Sequence, residues 1–358
     1  MKKLKLKKIF KNKKLLLIIG ILLALLVAGV SAAIVLTKDD NKTYEKENKN
    51  NNDKQKEEVK EAKKVQIVNE YTTSRPYAVM INNINVARPL QSGLQDAYII
   101  YEMIVEGGIT RYMALFLDQD TERIGSVRSA RHYYLDYALE NDAIYVHHGQ
   151  SEYAQSDFGK LGIDRIVVDN SKTGWRDKSL KVSSEHTLFT SIEKLNKGIG
   201  KKRTTRNNDL LLDYSADSLD LASIKDSKVA NTVDIRYSNA TKSSYEYDAE
   251  NKVYKRSVNG KAHTDYVTKE QYTFKNIITY QVENTKISGD NYKRQNLNNI
   301  GSGTGYYISE GYAVPITWEK TSRKAQTIYK LMDGTELKVN DGNTFIQIQP
   351  KGESLNIS

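Results

Sequence analysis

Between residues 102 and 186 the chain gathers arginine, glutamate and histidine at spacings that suit a negatively charged ligand. The stretch RIGSVRSARHYYLDYALE, residues 123–140, sets Arg123, Arg128, Arg131 and His132 around one Gly-Ser turn. A serine ahead of an apolar-periodic run predicts a helix capped by Ser126. Arg128 and Arg131 would then lie three apart on one face, in first turns whose free N–H groups and dipole already attract anions. Guanidinium forks so placed suit phosphate or carboxylate through bidentate hydrogen bonds. Upstream, EMIVEGGITR supplies Glu102, Glu106 and Arg111. The two glutamates share a face whether this run is helix or strand, and Gly107-Gly108 is expected to turn Arg111 back beside them. A co-facial pair of carboxylates could do acid-base work, hold a divalent cation or neutralise the arginines.

Downstream, DAIYVHHG predicts a strand that ends in two histidines on opposite faces, with His148 toward the site. WRDKSLKVSSEH adds Arg176 and His186. The histidine spacing matches no standard metal pattern, and no nucleophile elbow accompanies it. No metal and no cofactor are therefore expected. The candidate ligand-binding set is Arg111, Arg128, Arg131 and Arg176, with Glu102, Glu106, His148 and His186. The competing expectation is that these residues satisfy one another as internal salt bridges.

The elements that must position this set begin beyond a hydrophobic N-terminus. Residues 1–14 carry eight lysines and no acid, and residues 15–36 carry no charge. About 20 apolar residues span a bilayer, and flanking lysines keep their side in the cytoplasm, so a single transmembrane signal-anchor is expected, with the rest of the chain extracytoplasmic. A cleaved signal peptide ending near Val30–Ala32 is the alternative. The formal charge is +10, but beyond the basic tail 46 basic residues face 44 acidic ones, which argues against nucleic acid as a partner. The chain has no cysteine, so neither a disulfide nor a thioether-linked lipid can form.

Residues 37–70 read as a charged, disordered tether. Residues 71–200 alternate predicted strands and helices, including a helix over TLFTSIEKLNKGIG at 187–200, and suggest an α/β (α+β) domain with a mixed sheet. Residues 201–227 form a connection. Residues 228–350 read as short strands and hairpins, a mostly β second domain, with turns at Asp248–Asn251 and at Asp333-Gly334. The glycine-rich GSGTGYY at 301–307 lacks the lysine of a phosphate loop and is expected to be a turn or loop before a strand, and Trp318 to be core.

The stretches RPYAVMINNINVARPLQSGLQDAYIIYEMIVEGGITRYMALF, IGSVRSARHYY and VHHGQS resemble the YerB-like family of bacterial lipoproteins, whose N-terminal domain is DUF3048. VDIRYS, GSGTGYYISEGYAVPITWEK and DGNTFIQI are similar to that family's C-terminal domain, so the resemblance covers roughly residues 72–350. It implies an α/β fold followed by a β-rich domain on the outer face of a Gram-positive membrane, and it carries no established reaction. Two departures stand out. LVAGV at Leu26–Val30 looks like a lipoprotein box with Val30 where the lipid-bearing cysteine belongs. The Pro-His-Asn stretch that usually follows WRD in the family is replaced here by Ser184-Glu185-His186-Thr187, which leaves His186 as the carry-over. The expected function is a membrane-anchored envelope protein that holds an anionic wall polymer or lipid-linked precursor through its arginines. The alternatives are a phosphate- or glycosyl-linkage enzyme of the same compartment and a protein-interaction scaffold.

Overall fold

A computed structural model describes residues 63–358. The expected basic tail, the apolar run 15–36 and most of the tether lie outside these residues. Among the described residues no helix is long and apolar enough to cross a membrane. The tether ends earlier than residue 70: Val68 is buried, and the backbone N–H groups of Gln66 and Ile67 donate to the Asp341 carboxylate at 2.8 and 2.9 Å.

The fold is a mixed, sheet-rich body with few helices. Its main sheet has twelve strands. Ten of them run, from one edge, Lys228–Val229, Tyr312–Lys320, Gly301–Ser309, Asn276–Lys286, Thr344–Pro350, Ile99–Ile104, Thr110–Phe116, Tyr77–Asn82, Ile144–His147 and Arg165–Val167; the other two, Gln295–Asn298 and Ile328–Leu331, pair with Asn276–Lys286 and Tyr312–Lys320. The sheet runs through both halves of the chain, because Thr344–Pro350 lies parallel between Ile99–Ile104 and Asn276–Lys286. A second sheet of six strands is built around Thr232–Arg236, Lys242–Asp248 and Val253–Val258. Central strands of the main sheet are covered on both faces, so YAVMIN and IIYEMI are buried at every position instead of alternating. That burial makes the ambiguous apolar run at 96–108 a strand, Ile99–Ile104.

Two buried ion pairs tie the halves together. Glu102 meets Arg256 at 2.8 Å and Glu140 meets Lys320 at 2.7 Å, and all four side chains are closed to solvent.

Among the described residues three α-helices lie among the strands: α1, Tyr134–Glu140; α2, Glu152–Leu161; and α3, Ile192–Gly198. The helix expected from Ser126 begins seven residues late, with Tyr133 in place of Ser126 at its N-cap position. Residues 126–131 are bound into the sheets instead: Val127 bridges Ile81, Ala130 bridges Gln150, Arg128 N–H donates to the Met80 carbonyl at 2.9 Å, and Val127 N–H donates to that of Leu188 at 2.8 Å. Donors taken by neighbouring strands are not free to start a helix, and the buried Ser126 Oγ caps nothing. The helix expected over 187–200 is likewise shorter, because Leu188–Thr190 pairs as a strand and Ser191 caps α3. GSGTGYY is not a loop but part of the Gly301–Ser309 strand. Trp318 is core, 4.8 Å from the Tyr280 ring centroid.

Ser151 caps α2 through an Oγ that accepts from Ala154 N–H at 3.1 Å. Ser151→Ala is expected to cost about 1 kcal/mol in urea unfolding, the usual value of a lost N-cap.

Candidate functional site

The structure divides the eight predicted residues between two faces of the main sheet. Glu102 pairs in register with Tyr112, and Met103 with Arg111, so Glu102 and Arg111 point to opposite faces. The expected co-facial glutamate pair does not form. The strand ends at Ile104 and Glu106 sits in the turn Glu106–Gly108, where Gly107 and Gly108 take φ of 69° and 74°. Strand parity therefore stops before it reaches Glu106.

Glu102 faces the second sheet. It accepts from Arg256 at 2.8 Å, Thr110 Oγ1 at 2.6 Å and Ser243 Oγ at 3.1 Å. Arg256 in turn donates to Tyr112 and Tyr245 hydroxyls at 3.0 and 3.1 Å. This network is interior scaffolding. Arg256 escaped the sequence reading, although VYKRSV carried a signal: Arg256 falls in phase with Tyr254 and Val258, the apolar positions of an alternating strand.

On the other face Glu106 holds two arginines. It accepts from Arg111 Nη2 at 2.8 Å, from Arg131 Nε at 2.9 Å and from Arg131 Nη2. Burial alone would raise the Glu106 carboxyl, but Arg111 and Arg131 override it and hold the group at about 2. Arg111 is itself pushed down to about 10, by its burial first and then by Arg131, more than Glu106 raises it. Two guanidinium groups against one carboxylate give this trio a net positive charge.

Beside the trio lies a more open cluster. The Arg128 carbonyl accepts from His148 N–H at 3.1 Å, and the Ser129 carbonyl accepts from Arg111 Nη1 at 2.8 Å, so one extended segment joins the two. Arg128 Nη2 donates to Glu185 at 2.7 Å. Arg176 donates from Nη1 to the Ser184 carbonyl and from Nη2 to His148 Nε2 at 3.2 Å. His148 Nδ1 lies 2.8 Å from the Val168 carbonyl, so it carries the proton and leaves Nε2 as an acceptor. His186 stands 3.0 Å from Asn82 Nδ2 and 3.7 Å from Glu185. Burial lowers its pKa, and Arg128 pushes the same way against Glu185. His147 is enclosed, stacked on Phe158 at 5.1 Å, and burial lowers it to about 4.

Arg111, Arg128, Arg131, Arg176, Glu106, His148 and His186 are thus neighbours, and Glu102 is not. Four arginines face two carboxylates, Glu106 and Glu185. Glu185 was not among the predicted residues, though it adjoins His186. Arg128 Nε is buried without a hydrogen-bond partner. Neither Glu102 nor Glu106 is free of arginine, and a carboxylate so paired is a poor general base. Among the described residues no three His, Cys, Asp or Glu side chains are grouped to hold a metal ion.

This chain belongs to the DUF3048 family, proteins of unknown function. The family's N-terminal domain matches residues 64–206 and its C-terminal domain residues 233–346. It is 31% identical over 296 residues to the Bacillus subtilis (strain 168) protein described as "Putative lipoprotein YerB", covering 80% of this chain and 85% of that one. A crystal structure of the Bacillus subtilis YerB protein superposes with a TM-score of 0.67 at 29% identity, covering 79% of this chain and 94% of that one.

Proposed function

We propose that this protein is an extracytoplasmic, membrane-anchored component of the bacterial cell envelope that binds an anionic ligand at the rim formed by Arg128 and Arg176. The lipoprotein description of its Bacillus subtilis relative supports the compartment. The chain has no cysteine to carry a lipid, so the uncharged run 15–36 is the anchor this reading requires. One observation carries the ligand class: among the described residues two guanidinium groups meet one carboxylate, the half-exposed Glu185, and Arg128 Nε has no partner. Arg176 spends its donors on a carbonyl and an imidazole nitrogen. A phosphate or carboxylate of a wall polymer or lipid-linked precursor would complete both forks.

Calorimetric titration of the detergent-solubilised full chain with pyrophosphate and with citrate, each with and without Mg²⁺, tests this. At least one anion is expected to bind, with affinity falling tenfold or more in Arg128→Gln and in Arg176→Gln and holding in Lys351→Gln, a charge-matched change outside the cluster. Binding that survives both arginine changes, or no binding by any probe, would refute the reading.

A further inference from the structure

The main sheet forks at its glycine-rich strand. Asn276–Lys286 pairs with Gly301–Ser309 only as far as Tyr280↔Gly305, and with Gln295–Asn298 only from Glu283↔Asn298 outward. Between those points residues 299–304 stand opposite Gln281 and Val282 alone. Six residues cannot pair with two, so the ladder opens. Within the opening Gly301–Thr304 is paired on one side only, to Thr317–Lys320. Its other side presents backbone N–H and C=O groups at strand spacing, as the edge of a sheet does.

A cavity of about 690 Å³ fills the opening, within the size range of ligand sites. Gly301, Gly303 and Gly305 bring no side chains to it. A Cβ on Gly303 would lie 2.8 Å from Trp318 Nε1, and one on Gly305 would overlap the Thr279 carbonyl. Glycine at 303 and 305 is thus required by contacts within the chain, the Trp318 ring against one and the Thr279 backbone against the other, whereas Gly301 has open space around it. Three lining residues carry buried polar atoms with no partner: Thr279 Oγ1, Gln349 Oε1 and Trp318 Nε1. Thr279 and Gln349 are closed to solvent and Trp318 is 4% exposed. Native proteins leave few such atoms; register places Thr279 and Gln349 on one face of the sheet and Trp318, with Gly303 and Tyr280, on the other, so they flank the opening from both sides with donor and acceptor character. The charged lining residues, Glu283 and Lys351, pair with each other at 2.8 Å, so the cavity offers no net charge.

We infer that the fork binds an extended, uncharged peptide segment that adds as a strand along Gly301–Thr304. A one-sided strand supplies main-chain hydrogen bonds, the unpartnered side-chain atoms supply the rest, and Gly301 leaves open space at the mouth. This site lies apart from the arginine rim and does not depend on it.

Hydrogen exchange of the detergent-solubilised full chain tests the inference. The probe is a mixed-sequence library of uncharged, N-acetylated and C-amidated hexapeptides, run beside the same library N-methylated at alternate residues and beside maltohexaose. The unmodified library is expected to slow exchange at 301–304 tenfold or more while 305–309, already paired on both sides, is unchanged. Thr279→Val removes an unpartnered hydroxyl without changing shape, so it should leave the unfolding midpoint unchanged or raised and weaken that protection at least fivefold. Thr304→Trp, at an exposed position on the strand, should fill the opening and abolish protection with folding intact. Protection by maltohexaose, equal protection by the N-methylated library, or none by any probe would overturn the inference.

Discussion

Arg256→Met is expected to destabilise the protein by about 3–5 kcal/mol, the cost of removing one partner from a buried ion pair. The change leaves the Glu102 carboxyl in the interior without its cation, where only Thr110, Ser243 and Asn83 remain as donors. It also strips the Tyr112 and Tyr245 hydroxyls of their guanidinium donor. Urea unfolding followed by circular dichroism measures the loss. Adding Glu102→Gln to Arg256→Met should cost less than the same change in wild type, because the charge it removes is by then already unpaired. A coupling of about 0.5–3 kcal/mol is the size expected for groups in direct contact. A single-mutant loss below 1 kcal/mol would mean that solvent reaches the pair.

Glu106→Gln should be the second large effect, and its pH dependence is distinctive. The carboxyl is held at about 2 in the folded protein, against an ordinary value of 4.5. A depressed folded value means that the stabilisation is fully present above pH 4.5 and is lost as pH falls through 2. The shift corresponds to about 2–3 kcal/mol at pH 7, after allowance for the quarter of the side chain that solvent reaches. Wild type and Glu106→Gln should therefore differ by that amount in urea melts at pH 7, converge below pH 4.5 and coincide near pH 2. A gap that persists at pH 2 would show that Glu106 acts through shape, not charge.

These expectations separate arginines that support the fold from those offered to a ligand. Arg256 and Arg111 are enclosed, and Arg131 is nearly so; each has a carboxylate within the protein. Arg128 and Arg176 stand at the rim, where among the described residues the half-exposed Glu185 is the one carboxylate paired to them. Loss of stability in the first group and loss of anion affinity in the second are independent measurements.

Much of the local structure could be read from sequence, because periodicity is a local property. Alternation in YEYDAENKVYKRSV marks two strands and their turn, and the hairpin forms at Asp248–Asn251 as its residues demand. Alternation encloses His147 at the end of the strand Ile144–His147, and His148, one residue past it, turns to the arginine cluster. The glycine pair returns Arg111 to Glu106. What sequence alone could not settle were competitions decided by distant chain. Ser126 is a good cap, but Met80 and Leu188 claim the backbone donors that follow it, so that segment is extended and the helix waits until Tyr134. Glu102 finds Arg256 across 154 residues, a pairing set by how two sheets pack and not by spacing along either. The fork beside Gly301–Thr304 exists because two strands share one partner with six residues opposite two. Sequence pattern determines which way a side chain faces in its own element; tertiary structure decides what stands opposite it, because cross-strand register and competition for hydrogen bonds are settled between segments far apart in the chain.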